Sequence, residues 1–478
     1  MISGIVHLTS KTIYGFSSRK IPIYAFQPFD TSIKPFMVGC SSTDKTSNLL
    51  AIAKITDSSV KNPRGFIEKI IGKCGERAAE EEALLWRYAP FRWRKQKIAI
   101  IHPKDIDRMF LDVPTINIDP AGCKDIDDCI SIWKTAEGQC VVAITIADVH
   151  EWLKCNPQIL EKAPSFGQTF YNNGTVASPM LPSELSEDLC SLIPGVPRLG
   201  RALIFLWNDE TRTISEYRFE SVIINNKKSY TYDNIKSATD FPIDILKNVA
   251  SKLASCEVDD PHEWVEHLMM FYNFVAAREL QKIGYGIWRS HDAPNTERLE
   301  KYKHLGDDLE RFAFSSAVYS KTPELHWGCK NALYCHATSP IRRWSDVVNQ
   351  AILKGEPMTF NIDQLNLISK NAKKYERDSV FLNALYTAKS ANLGPCTILD
   401  ESRIWIPLWN RIVNIGKTEY PEGTVLNLSY FMNLNGQTWK KRIVFKFEDT
   451  NYLELQRREP TVYESLAEAP IVPDPLKS

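Results

Sequence analysis

The stretch INIDPAGCKDIDDCISIW sets Asp119, Asp125, Asp127 and Asp128 within ten consecutive residues, between segments whose apolar runs read as buried strand. Carboxylates this close repel one another, and partial loss of water raises the cost, so each tends to take up a proton unless a cation sits among them. A hard divalent ion is the obvious remedy. Asp119 ends an extended segment, and Pro120 with Gly122 turns the chain. If the following DIDDCISI is extended, Asp125 and Asp127 share a face, while Asp128 reaches the same point only through a bend or bulge. One or two magnesium ions suit such a group, because Mg2+ takes a few carboxylates and fills its other positions with water and phosphate oxygens. Two ions about 4 Å apart activate a water and stabilise the leaving oxygen in phosphodiester hydrolysis. A calcium loop and a solvated acidic turn are the competing readings. An EF-hand fits poorly, since the glycine precedes most of the acids and no glutamate follows at the required place.

A second constellation is YCHATSPIRRWSDVV. Ser339 reads as the cap of a helix, Pro340 as its first residue and Gly355 as its close, which places Arg342 and Arg343 in the first turn. Free amides and the helix dipole favour anions at such an end. Arg342 and Asp346 are four apart and share a face, so the carboxylate is expected to hold the guanidinium in place. A positioned arginine clamps a phosphate through two nitrogens and stabilises transition-state charge. The other reading is an ion pair on a helix surface, and sequence distance alone does not bring this arginine to the aspartates.

At 478 residues the chain has room for two to four domains, and 44% hydrophobic with 24% charged is ordinary for a globular protein. Lysine plus arginine equals aspartate plus glutamate at 58 each, so no global basic field advertises a nucleic-acid partner and any polyanion site must be local. The 11 cysteines include no C-x-x-C pair, and the spacing of Cys329, Cys335 and His336 matches no zinc motif, so the cysteines read as reduced thiols. The chain has no run of about 18 apolar residues and its start lacks the pattern of a secretory leader, which predicts no membrane span and a cytoplasmic address.

Short β-type runs such as IPIYAFQ and LLAIAKI over residues 1–85 suggest a small barrel, followed by the helix former ERAAEEEALLWRYA. Strands and loops fill about 100–235. Three long helices follow, one of them DPHEWVEHLMMFYNFVAARELQKIG with Asp260 as cap, Pro261 in the first turn and Gly284 past the end. After Gly394 the texture reverts to β, and SLAEAPIVPDPLKS reads as a loose tail. The basic stretch RWRKQK at 92–97 reads as a solvated linker, with an RNA-facing rim as the alternative.

The acidic and arginine motifs, in this order, resemble those of the ribonuclease II and R family of exoribonucleases, whose catalytic module is called RNB. The likeness extends to IADVHEWL, PMLPSELSEDLCSLIPGVPRL, SVIINNKKSYTYDNI, VEHLMMFYNFVAARELQ, WRSHDAPN and KKYERDS, in family order over about 100–390. More loosely, the flanks are similar to a cold-shock-type barrel and to the degenerate C-terminal barrel of the branch that includes the eukaryotic exosome nuclease, with no room for the first cold-shock barrel or an endonuclease domain. The resemblance implies an α+β multidomain chain: an OB-type, RNA-binding barrel over 1–85, an RNB module of mixed sheet with packed helices over 86–392, a degenerate OB-type barrel over 393–450 and a tail over 451–478. It implies a hydrolase that draws single-stranded RNA, 3′ end first, into a channel and releases nucleoside 5′-monophosphates. The alternative is an RNB-like scaffold that holds RNA or a partner without cutting.

By the same resemblance, Asp119, Asp125, Asp127 and Asp128 bind magnesium, with manganese as the alternative ion, together with the terminal nucleotide. Arg342 matches the arginine on the scissile phosphate, with Arg343 beside it, and Glu376 matches a glutamate of the terminal-nucleotide pocket. Tyr171 falls near the aromatic that stacks on the 3′-terminal bases, a one-residue offset leaving Phe170 as the other candidate. One departure is Trp344, which stands where the family has a tyrosine and carries no hydroxyl.

Overall fold

The computed structural model describes residues 1–57, 63–93, 98–104, 107–330, 332–387, 392–433 and 443–447; the expected tail at 451–478 and residues 94–97 of the basic stretch lie outside them. The fold is a mixed α/β architecture in which one large sheet is flanked by a barrel and a half-barrel. Among the described residues no helix is long and apolar enough to cross a membrane.

The first unit is a closed barrel. Strands β1 (Ile2–Val6), β2 (Ile23–Pro28), β3 (Phe36–Gly39), β4 (Leu49–Asp57) and β5 (Arg64–Lys73) close in the order β1-β2-β3-β5-β4. Alternate residues point inward, so Val6, Tyr24, Phe26, Phe36 and Val38 form its core. The helix Arg77–Tyr88 leads out of the barrel. At its end the Tyr88 hydroxyl donates to Asp378 Oδ2 at 2.8 Å, and Arg411 Nη2 donates to Asp378 Oδ1 at 2.8 Å. Asp378 lies on the long helix Ile362–Thr387, so one buried carboxylate ties the barrel's exit helix, the central unit and the C-terminal sheet together.

The central sheet takes β6 (Met109–Leu111), β7 (Thr115–Ile118), β8 (Asp128–Lys134) and β9 (Cys140–Ala147), skips the hairpin β10 (Phe170–Asn172) and β11 (Thr175–Ser178), and continues with β12 (Pro197–Asn208), β13 (Thr213–Asn225) and β14 (Lys228–Tyr230). Its order is β14-β7-β8-β9-β12-β13-β6, antiparallel inside and parallel at both outer pairs. β8 and β9 read as near-continuous apolar runs because helices cover them, and Ile130, Val142, Ile144, Leu203 and Phe205 are wholly or almost wholly buried. The helix Pro261–Ile283 begins and ends where the sequence places it: Asp260 accepts from the His262 N–H at 2.9 Å, and Gly284 closes it with φ of 77°. After residue 392 an open sheet of five described strands carries a core around Trp409, Ile404 and Leu428.

An ionic knot fixes the helix Trp344–Leu353 to the sheet. Asp148 accepts from Arg108 Nη2 at 2.8 Å and from Lys354 Nζ at 2.9 Å, and Glu151 accepts from the same two cations at 2.7 and 3.3 Å. Asp148, Arg108 and Lys354 side chains are at most 5% exposed. Burial pushes the Asp148 carboxyl up, but Lys354 and Arg108 outweigh it and hold it below the usual carboxylate range. Removing one member leaves buried charge uncompensated, so Asp148→Asn is expected to cost about 3–5 kcal/mol in urea unfolding. Because the folded value is the lower one, this stabilisation is present above the ordinary carboxylate range and is lost as pH falls through the folded value. Unfolding midpoints between neutral and acid pH should therefore fall less steeply in the variant than in the parent chain.

Candidate active site

The acids sit in a loop that the fold holds from behind. Residues 119–127 run between β7 and β8, so the chain is extended only from Asp128 onward. Ser191 grips this loop: the Ile126 N–H donates to its Oγ at 2.9 Å, and the hydroxyl donates to the Lys124 carbonyl at 2.7 Å. Ile126 is buried between Asp125 and Asp127. Asn117 Nδ2 donates to Asp119 Oδ2 at 2.8 Å, and Asn117 is itself held by Asn226 Nδ2 at 2.8 Å and by the Ser229 hydroxyl at 2.6 Å.

The arginine motif arrives from 214 residues away. The Ile341 N–H donates to Asp127 Oδ1 at 2.9 Å, and Arg342 Nε lies 3.5 Å from Asp127 Oδ2. A short antiparallel contact sets this meeting. The Trp344 N–H donates to the Gly167 carbonyl at 2.8 Å, the Thr169 N–H donates to the Arg342 carbonyl at 2.9 Å, and Gln168 bridges Arg343 between them. The chain then enters the β10–β11 hairpin, where the Tyr171 hydroxyl donates to Asp125 Oδ2 at 3.3 Å. Phe170 points the opposite way, buried against Tyr375 with ring centroids 5.9 Å apart, so of the two candidates Tyr171 faces the acids.

Two sequence expectations need correction. The helix starts at Trp344 rather than Pro340: residues 340–342 form a turn and Arg343 is the N-cap, with φ −138° and ψ 127°. Asp346 consequently holds Arg343, not Arg342. Arg343 Nε and Nη2 donate to its two oxygens at 3.0 and 2.8 Å, and the Ser339 N–H donates to it at 2.8 Å. This leaves Arg342, half exposed, free to point at the acids. Trp344 is buried in the central core, so its ring packs the fold. Glu376 is exposed on the long helix, and no hydrogen bond or ion pair among the described residues joins it to the acids.

The electrostatics follow from burial. Desolvation pushes Asp127 up to about 8 against the pull of Arg342 and of the Ile341 amide, with Asp125 and Asp346 adding to the rise. Burial also raises Asp128 and Asp119; Asp119 is the first of the charges that raise Asp128, followed by Asp127. Asp125 thus lies beside Tyr171 and Asp127 beside Arg342. Burial, then the charges of Asp119 and Asp128, push the Tyr232 hydroxyl up to about 12. Among the described residues no three His, Cys, Asp or Glu side chains converge as an all-protein metal cage. Carboxylates are hard oxygen donors, and their chemistry fits Mg2+, which needs only one or two of them beside water and substrate oxygens.

The RNB domain model matches residues 107–244 and 237–356, more than half of the chain. The chain belongs to the RNB domain family. It is 26% identical over 439 residues to the exosome complex exonuclease RRP44 homolog A of Arabidopsis thaliana, covering 69% of this chain and 47% of that protein. The chain spans about half the length of the curated relatives it matches. In fold it is similar to Mycoplasma genitalium RNase R in complex with ribose methylated single-stranded RNA, with TM-score 0.71 and 16% identity over 93% of this chain and 89% of that one. It is also similar in fold to yeast Ssd1, a pseudonuclease, with TM-score 0.67 and 13% identity over 90% and 68% of the two chains.

Within this candidate site, Ser191 and Asn117 are supports that motif reading passes over. Asn117 stands out as a polar residue inside an apolar strand run, while Ser191 carries no such signal. Gly167 is a further constraint. Its φ is +65°, and an added Cβ would lie 2.5 Å from Ile368 Cδ1. Gly167→Ala is therefore expected to cost about 1–3 kcal/mol of stability, measured by urea unfolding, and Ile368→Ala in the same chain should recover the steric part alone.

Proposed function

We propose that this chain is a 3′-to-5′ exoribonuclease that hydrolyses single-stranded RNA to nucleoside 5′-monophosphates, with Mg2+, or Mn2+ in its place, bound at Asp119, Asp125, Asp127 and Asp128, and with a cytoplasmic place of action. The observation that carries the reading is the meeting of Asp127 with Arg342 and the Ile341 amide, which puts a cationic fork and a row of acids at one point. When bound, the ion supplies charge neutralisation for these carboxylates and for the phosphate, and lowers the pKa of a bound water.

The chain's own residues supply positioning. Arg342, half exposed and held by Asp127 and by the Ser339 hydroxyl at 3.3 Å, is aimed to bind the scissile phosphate and the charge that develops on it. Arg343 is a positioning residue in this scheme, because its fork is spent on Asp346 and fixes the turn that presents Arg342. Tyr171 offers a ring at the acid edge on which a terminal base stacks, an interaction worth about 1–3 kcal/mol and tolerant of base identity. Glu376 belongs to the proposal by resemblance alone. The likeness to a pseudonuclease favours one second reading, a scaffold that holds RNA without cutting it.

Incubation with a 3′-labelled single strand of RNA, beside a DNA strand of the same sequence, separates the readings. Release of labelled mononucleotide from RNA in Mg2+ or Mn2+, and none in chelator, is the expected result; intact RNA under every divalent ion would leave the scaffold reading. Asp127→Asn should abolish cleavage while RNA retention on a filter stays nearly unchanged. Arg342→Ala should slow turnover about 10²–10³-fold, the loss typical of one preorganised donor.

A further inference from the structure

A second cavity lies on the same face of the central sheet as the acids. Asp128 pairs with Ile146, Ile146 with Arg201, and Arg201 with Ser221, so these residues form one cross-sheet row whose side chains share a face. The helix Trp344–Leu353 begins beside the acids and ends at this cavity, where Arg201 Nη2 donates to the Leu353 carbonyl at 3.2 Å. The cavity measures about 570 Å³, and its walls include Arg201, Tyr217, Arg218, Glu279 and Lys282. That volume falls within the range of small-ligand sites.

Two features of the walls call for a ligand. The Arg201 guanidinium has no carboxylate partner among the described residues; its bonds go to the Ser221 hydroxyl at 3.0 Å and to the Leu353 carbonyl, and its buried Nε has no partner. A part-buried cation without a counter-charge is costly to keep. The rim is strained as well. The β12–β13 register slips between Ile204 and Leu206, and opposite that slip Glu216 takes a φ of 49°, which turns the following Tyr217 outward, 40% exposed. Bulges re-aim side chains, and non-glycine residues held at positive φ gather at ligand sites. Lys282 stands beside it in an exposed pair with Glu279, a pair of small worth that is free to open toward an anion.

We infer that this cavity binds a small phosphate ester of mononucleotide size, its phosphate on Arg201 and Lys282 and its base on the Tyr217 ring. The site is separate from the hydrolytic one and does not depend on that function being right. Isothermal titration of the full chain with adenosine 5′-monophosphate, without divalent ions, tests it. The chain should bind the nucleotide in the sub-millimolar range, adenosine at least tenfold more weakly, and the surface variant Lys282→Glu at least tenfold more weakly. Asp127→Asn should bind as the parent does. No binding up to about 10 mM, binding at full strength in Lys282→Glu, or binding that Asp127→Asn removes would each overturn the assignment, the last by placing the nucleotide at the acids. Circular dichroism of each variant confirms that it is folded, and the charge-reversed Lys282 side chain is largely exposed, at 66%.

Discussion

The crowding of four carboxylates at the mouth of a buried strand is the constraint on which the rest of the structure depends. Isolated, such a group would protonate or unfold its own loop. The fold answers from two directions. Behind the loop, Ser191 and the Asn117, Asn226 and Ser229 set satisfy its backbone and one carboxylate. In front, the Ile341 amide and the Arg342 guanidinium bring positive charge to Asp127. Neither answer removes the excess, since Asp119, Asp127 and Asp128 all remain pushed up. That residual hunger for a cation makes the arrangement a candidate catalytic centre rather than a settled ion-pair network.

Much of the remaining architecture serves to keep these two loops together. The helix Trp344–Leu353 is held at its start by Asp346, which binds Arg343 and the Ser339 amide, and at its end by Lys354 in the knot with Asp148 and by Arg201 on the last carbonyl. Fixed at both ends, it carries Arg342 to one place. The long helix Ile362–Thr387 does similar work from outside: Ile368 presses on Gly167, whose carbonyl accepts from Trp344, and Asp378 anchors the exit helix of the barrel and Arg411 of the C-terminal sheet. The same sheet face thus carries the acidic centre at one end of a short helix and a cationic cavity at the other.

The sequence alone determined the barrel strands within IPIYAFQ and LLAIAKI, the capped ends of the helix Pro261–Ile283, the acids themselves and the arginine motif, because each rests on local chemistry: apolar β-type runs, a capping side chain, a turn glycine, a dense cluster of charge. It also carried the family, through blocks spread over the central unit. It misplaced the start of the helix at Trp344 and the partner of Asp346, since SPIRR is compatible with a first helical turn until a strand contact from Gly167 to Thr169 pulls those residues out of it. The choice between Tyr171 and Phe170, the approach of Arg342 to Asp127 across 214 residues, and the Asn117 and Ser191 supports were decided only by the tertiary structure. Such pairings join residues remote in the chain, and their energies depend on burial and register, which no local pattern encodes.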